Sequence, residues 1–220
     1  MNANGKCKIG VLGSGDVGRV LAAGLRARGH EVCLGSRDPR SEKLQTWQED
    51  AGQGVLSGTF AEAAQFADVA ILATLWSGTE NAVQLAGPGH LAGKVVIDAT
   101  NPLVVQEGKL PALALGHTDS GGEQVQRWLP GARVVKAFNS VGNAHMVNPS
   151  FAGGPPDMFI AGDDKAAKAQ VAVLCAELGW QTVDAGGLEA ARLLEPLCIL
   201  WVTYGIRSGS WNHAFKLLRK

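Results

Sequence analysis

Neither charge dominates this sequence. Twenty lysines and arginines offset twenty aspartates and glutamates, so no net field draws the chain to nucleic acid or to an anionic membrane. Long apolar runs are missing as well. The longest stretch near the C-terminus, Leu197 to Val202, is far too short to span a bilayer, which argues against a membrane protein. A glycine-rich turn arrives after barely one strand's length, so the N-terminus does not read as a signal peptide. Cysteine is sparse: Cys7, Cys33, Cys175 and Cys198 are widely spaced, and no pair has metal-site or redox-motif spacing. They read as buried free thiols in a reducing, cytoplasmic setting. The five histidines (His30, His90, His117, His145 and His213) do not make a ligand set, so no metal is expected.

What the chain does have is the composition of an ordinary folded protein, 46% apolar and 18% charged. Its 220 residues suit one large α/β domain, alone or with a short appendage.

The organising stretch is Lys8 to Arg37. An apolar run (Ile9, Val11, Leu12) ends in Gly13-Ser14-Gly15-Asp16-Val17-Gly18. Val17, Val20, Leu21, Gly24 and Leu25 then fall on one helical face, and a second apolar run, Val32 to Leu34, stops at Gly35-Ser36-Arg37. Strand, turn, helix and strand within about thirty residues is the context that makes GxGxxG informative. Gly13 turns the chain, Gly15 lets a pyrophosphate approach the backbone, and Gly18 lets the helix lie close to the strand. Unpaired amides and the dipole at the helix start favour the phosphate charge.

The tip of the second strand selects the dinucleotide. An acidic residue there would accept hydrogen bonds from a ribose 2′-hydroxyl and repel a 2′-phosphate. Here stand Ser36 and Arg37, with Arg40 and Lys43 close behind, so NADP(H) is favoured over NAD(H). Asp38 precedes Pro39 and reads as the N-cap of a helix from Pro39 to Ala51.

The rhythm continues along the chain. Thr59 and Glu62 have capping-box spacing, and Val69 to Thr74 reads as a central parallel strand. A helix from about Gly78, strands at Lys94–Asp98 and Arg133–Phe138, and a second box at Ser120 and Glu123 follow. Asn148 to Asp157 reads as the most flexible part, ahead of a second βαβ-like unit from Met158 to Asp184. The prediction is a doubly wound, mostly parallel sheet of the Rossmann type over residues 1–186, with a short helical extension over residues 187–220. Pro196, Gly205 and Ser208-Gly-Ser210 should divide that tail. Its aromatics Trp201, Tyr204, Trp211 and Phe215 suit packing on the sheet or on a second subunit, or the wall of a flat acceptor's pocket.

Ligands of such sheets sit beyond the strand ends. The residues there are Gly13 to Gly18, Thr74-Leu75-Trp76, Asn101-Pro102 and Asn139-Ser140. None is an obvious acid or base, whereas an alcohol dehydrogenase needs one beside the substrate oxygen. Hydride transfer to a flavin-like ring has less need of a proton donor, and Asn101 and Asn139 suit a carboxamide or the acceptor's carbonyls. His145 is the one histidine near this edge.

The GxGxxG start, Gly35-Ser-Arg37, Ala99-Thr-Asn-Pro102 and Lys136-Ala-Phe-Asn139 together resemble the NADP oxidoreductase, coenzyme F-420-dependent family, which also supplies the cytoplasmic domain of STEAP-type metalloreductases. The resemblance extends into the tail at Leu194-Glu-Pro196 and Phe215-Lys-Leu-Leu218. The resemblance implies an NADPH-binding oxidoreductase that passes hydride to a flavin or deazaflavin. It gives Ser36 and Arg37 to the 2′-phosphate and the glycine turn to the pyrophosphate, and it places Trp76, Asn101 and Asn139 around the nicotinamide. No motif dedicated to the deazaflavin is recognised. Two other readings stay open: an imine or keto-acid reductase of the pyrroline-carboxylate reductase type, and a non-catalytic module that senses NADPH. A homodimer is compatible with all three.

Overall fold

The computed structural model describes residues 5–50 and 52–220. In chain order the first half holds β1 (Lys8–Leu12), α1 (Asp16–Ala27), β2 (Glu31–Gly35), α2 (Glu42–Asp50), β3 (Leu56–Gly58), α3 (Phe60–Phe66), β4 (Val69–Leu72), α4 (Trp76–Ala86), α5 (Pro88–Leu91) and β5 (Val95–Asp98). The second half holds β6 (Leu103–Val104), β7 (Ala112–Leu113), α6 (Gly121–Trp128), β8 (Arg133–Lys136), β9 (Asp157–Ile160), α7 (Lys165–Glu177), β10 (Gln181–Asp184) and α8 (Ala191–Ser208).

Six strands form one parallel sheet in the order β3-β2-β1-β4-β5-β8. Alternation along β1 explains why helices cover both faces. Ile9 and Val11 enter a core with Leu21 and Leu25 of α1 and Leu174 of α7. Leu12 enters the opposite core with Ala63 of α3, Val83 of α4 and Val125 of α6. The strand order reverses between β1 and its neighbours β2 and β4, and that puts a crevice beyond the carboxyl end of β1.

The doubly wound sheet is as the sequence predicts, and four details differ. The α2 helix starts at Glu42, not Pro39, because the Asp38 carboxylate takes the Arg40 amide and the Asp38 carbonyl takes Ser41, which makes a turn first. The α4 helix starts at Trp76, ahead of Gly78. Residues 103–113 close a small antiparallel hairpin, β6 with β7. The α8 helix runs unbroken through Pro196 and Gly205. Leu194, Glu195, Cys198 and Trp201 are buried on either side of Pro196, and their packing outweighs the lost amide. At Gly205 the Trp211 ring lies so close that any side chain would overlap it, so this glycine serves packing rather than a break.

Gly209, in the left-handed conformation, ends α8. Residues 210–220 have no regular structure and form a strap. Trp201 Nε1 donates to the His213 carbonyl (2.9 Å), and Leu217 N–H donates to the Asp157 carboxylate (2.6 Å). The predicted βαβ-like unit is present. Its strands β9 and β10 pair in parallel and join the main sheet through one antiparallel bridge, Lys136 to Ala161.

Candidate functional site

A cavity of about 730 Å³ opens at the crevice beyond β1. The glycine turn forms its floor. Gly13 has φ +135°, and a Cβ there would overlap the Ala73 carbonyl; a Cβ on Gly18 would overlap the Gly13 carbonyl. Neither position admits a side chain, so β1, β4 and α1 meet at backbone distance. Around Gly15 a Cβ would meet nothing within 4 Å. This residue stands at the N-cap of α1, where no side chain caps the helix. The α1 amides are thus open to an anion.

Ser14, Gly15, Asp16 and Val17 line the cavity, as do Ser36, Arg37, Thr74 and Leu75. Ser14 Oγ donates to Ser36 Oγ (3.1 Å), which also accepts the Asp38 amide (3.2 Å). Ser36 is buried and Arg37 exposed, so a bonded hydroxyl pair stands beside an exposed guanidinium at the tip of β2. On the far side the Thr74 and Thr79 hydroxyls bond each other (2.9 Å), and Leu75 lies 84% exposed at the start of α4.

Seven of the predicted site residues are absent from the cavity wall: Gly13 and Gly18 belong to the turn beneath it, and the other five lie elsewhere. Arg40 is exposed beyond the Asp38 turn. Trp76 stacks on Trp128 of α6, with centroids 5.5 Å apart. Pro102 is buried behind the end of β5. Asn101 and Asn139 bond each other: Asn101 Nδ2 donates to the Asn139 carbonyl (2.8 Å), and Asn139 Nδ2 donates to Asn101 Oδ1 (3.0 Å) and to the Leu194 carbonyl of α8 (2.8 Å). His145 sits with Phe151 and Asn212 and also lies off the wall.

The wall includes residues that sequence reasoning passed over. Ser77, Gly78 and Asn81 line it from one face of α4, a spacing readable once the helix start is known. Asn143 lines it too, two positions before the histidine that drew notice. Phe60, Ala73 and Ala99 add apolar wall, and Asp38 lies beside Arg37.

Also unforeseen is a buried ionic cluster. Lys136, the last residue of β8, places Nζ 2.6 Å from Asp98 Oδ2, 2.8 Å from Glu195 Oε1 and 2.9 Å from the Thr100 carbonyl. All three charged side chains are at most 1% exposed. Glu195 also accepts the Gly121 and Gly122 amides, each at 2.9 Å. A Cβ on Gly121 would come 3.0 Å from that carboxylate, so the pair of glycines lets Glu195 reach the start of α6. Burial alone would lower the Lys136 pKa, but the carboxylates of Asp98 and Glu195 outweigh it and hold the ammonium above its ordinary value.

Among the described residues no group of three or more His, Cys, Asp or Glu could hold a metal, and no helix is long and apolar enough to cross a membrane. The four cysteines are buried and unbridged. Burial pushes the Cys7 and Cys33 thiols up to about 11.

Comparisons with known proteins place this geometry. Residues 8–102 match the family model described as NADP oxidoreductase, coenzyme F420-dependent. The F420-dependent NADP reductase of Methanothermobacter marburgensis is 33% identical, over 96% of this chain and 97% of its own. Metalloreductase STEAP3 of Rattus norvegicus is 31% identical over 86% of this chain, but that match spans only 36% of the metalloreductase. A crystal structure described as a putative F420-dependent NADP reductase from Arthrobacter sp. FB24 superposes with a TM-score of 0.91 at 39% identity, covering 97% of this chain and all of that one. Likeness to an imine reductase from Aspergillus terreus (TM-score 0.65, 18% identity) extends to the fold and covers 63% of that larger chain. With matched length, matched fold and a third of its residues shared, the chain belongs to the family of F420-dependent NADP oxidoreductases.

Proposed function

We propose that the cleft binds NADPH and that the protein transfers a hydride between NADP(H) and a flavin- or deazaflavin-type acceptor. Family membership makes the chain an NADP-dependent oxidoreductase; the acceptor and the residue roles are our reading. The observation that carries it is the Ser14–Ser36 hydroxyl pair beside exposed Arg37. The residues fit a phosphorylated dinucleotide: Ser36 and Arg37 would hold the 2′-phosphate, and the open amides at Gly15 to Val17 the pyrophosphate.

The bound coenzyme supplies the hydride from its nicotinamide ring. The chain's part is to orient and to exclude. Away from Asp16, Arg37 and Asp38 the cavity wall is neutral: Thr74, Ser77, Asn81 and Asn143 are polar, and Leu75, Ala73 and Ala99 are apolar. Such a wall holds a planar ring by contact and neutral hydrogen bonds and offers no proton donor, which suits an acceptor that spreads the incoming charge over its own ring. Residues 187–220 extend the dinucleotide-binding domain and brace its carboxyl edge through Leu194 and Glu195. The same reading places the protein in the cytoplasm. It also makes the outward Leu193, Leu200 and Tyr204 of α8, all more than half exposed, the surface of a homodimer, which sedimentation would check.

The test is turnover of NADPH against a panel of FMN, FAD, riboflavin, a deazaflavin and small imines. Reduction of a flavin or deazaflavin supports the reading. Exclusive turnover of imines would replace it with the imine reductase, and tight NADPH binding without any turnover would point to a sensor.

A further inference from the structure

None of Lys136, Asp98 and Glu195 lines the cleft, yet each member of this ionic cluster adjoins a second network made of amides. Asp98 Oδ1 accepts the backbone N–H and the hydroxyl of Thr100, the residue before Asn101, at 2.9 and 2.7 Å. Lys136 donates to the Thr100 carbonyl and stands three positions before Asn139. Glu195 directly follows Leu194, whose carbonyl takes the Asn139 amide. The charged trio thus clamps the end of β5, the end of β8 and the first turns of α8. Those are the three segments that the Asn101–Asn139 pair ties together.

Two features at the tip of β8 mark it as more than packing. Asn139 is 2% exposed, yet its Oδ1 has no hydrogen-bond partner among the described residues. The preceding residue, Phe138, is 1% exposed with φ +60°, a left-handed conformation that bulky residues rarely adopt. An unpaired buried acceptor beside strained backbone persists only where the surroundings over-determine it, and such places cluster at functional sites. The trio provides those surroundings.

We propose that Lys136, Asp98 and Glu195 are positioning residues for hydride transfer. They hold the Asn101–Asn139 pair, and with it Ala99 of the cavity wall, against the nicotinamide end of the cleft. This rests on the NADPH reading above. The trio acts at a distance from the 2′-phosphate corner, so it sets the pose of the ring and leaves the affinity to Ser36, Arg37 and the glycine turn.

Three variants test it: Thr100→Val, which removes one bond to Asp98 at nearly constant shape, Glu195→Gln, and the charge-balanced Lys136→Met/Glu195→Gln. For each, thermal unfolding, the NADPH dissociation constant, the emission of the bound reduced nicotinamide, and kcat with a deazaflavin are measured. The expected split is a dissociation constant within about threefold of wild type and a kcat lowered about tenfold for Thr100→Val and about a hundredfold for the others, the cost of misplacing a reacting ring. The bound nicotinamide emission should move toward that of free NADPH. If the larger substitutions fail to fold, Thr100→Val decides. Wild-type kcat and emission in a folded variant would overturn the proposal, as would a kcat loss matched by an equal loss of affinity. Wild-type protein that binds no NADPH would sink the coenzyme assignment first, and this proposal with it.

Discussion

The side-chain amide of Asn139 donates to the carbonyl of Leu194 at 2.8 Å, joining positions 55 apart in the chain. One bond thus ties the exit of β8 to α8, and through Asn101 to the exit of β5. The behaviour expected of this fold follows from such joints.

At the tip of β2 the expectation is selectivity. If Arg37 holds the 2′-phosphate as proposed, replacing it with alanine should weaken NADPH binding by about 1–3 kcal/mol and barely change NADH binding. Fluorescence titration with both coenzymes measures the difference. Equal losses would remove the phosphate assignment.

Gly18 should behave in the opposite way. A Cβ there overlaps the Gly13 carbonyl, so Gly18→Ala forces α1 away from β1 and costs about 1–3 kcal/mol of stability, as overpacking does. Both coenzymes then bind more weakly, because the turn itself has moved. Chemical denaturation together with the same titrations distinguishes this pattern from the Arg37 one.

Acid should loosen the joint between α6 and α8. Hydrogen bonds from Arg192 are the main cause that holds the Glu123 carboxyl below its ordinary value of 4.5, with the Ser120 hydroxyl helping; Arg127 does the same for Asp119, whose ordinary value is 3.8. A folded value below the unfolded one means stability present in full above about 4.5 and lost as pH falls through the folded values. The melting temperature should therefore hold between about pH 5 and 8 and drop below that range. Glu123→Gln should flatten part of the acid limb. An unchanged acid limb in that variant would show that the Arg192 pair contributes nothing.

Cutting the chain after Gly209 removes the strap. Trp201 loses the His213 ring stacked 4.6 Å away and the carbonyl that accepts its indole N–H, and Asp157 loses the Leu217 amide. Stability should fall by about 2–4 kcal/mol, from apolar surface exposed and buried groups left unpaired. Differential scanning calorimetry of the truncated chain reads it directly. An unchanged transition would mean that the strap merely lies on the surface.

Much of the frame was legible in the chain because it depends on neighbours in sequence. The strand, turn and helix at Lys8 to Arg37 are local, and so is the box at Thr59 and Glu62, which both partners complete. The box at Ser120 is only half formed. Ser120 caps the Glu123 amide, but the Glu123 carboxylate turns to Arg192, a residue no local rule could supply. Two helix starts slipped as well, one for a local reason and one for a distant one. The Asp38 side chain spends its bond within a turn, and packing of Trp76 on Trp128 draws the start of α4 forward. The ionic trio was illegible because Asp98, Lys136 and Glu195 are far apart in sequence: Lys136 and Glu195 stand inside motifs that carry the resemblance, but nothing local joins them to each other or to Asp98. Ligands of such sheets are sought after the strands, and the two strand charges, Asp98 and Lys136, are the last residues within them.

Gly121 and Gly122 give the C-terminal helix a role that its place at the end of the chain conceals. Their bare backbones admit a carboxylate from α8 that completes the lysine's coordination in the body of the sheet. A chimera joining residues 1–190 to a foreign terminus would strand an ammonium with half its counter-charge and leave two helix-start amides facing nothing. The tail and the sheet can therefore be exchanged between relatives only as a matched set.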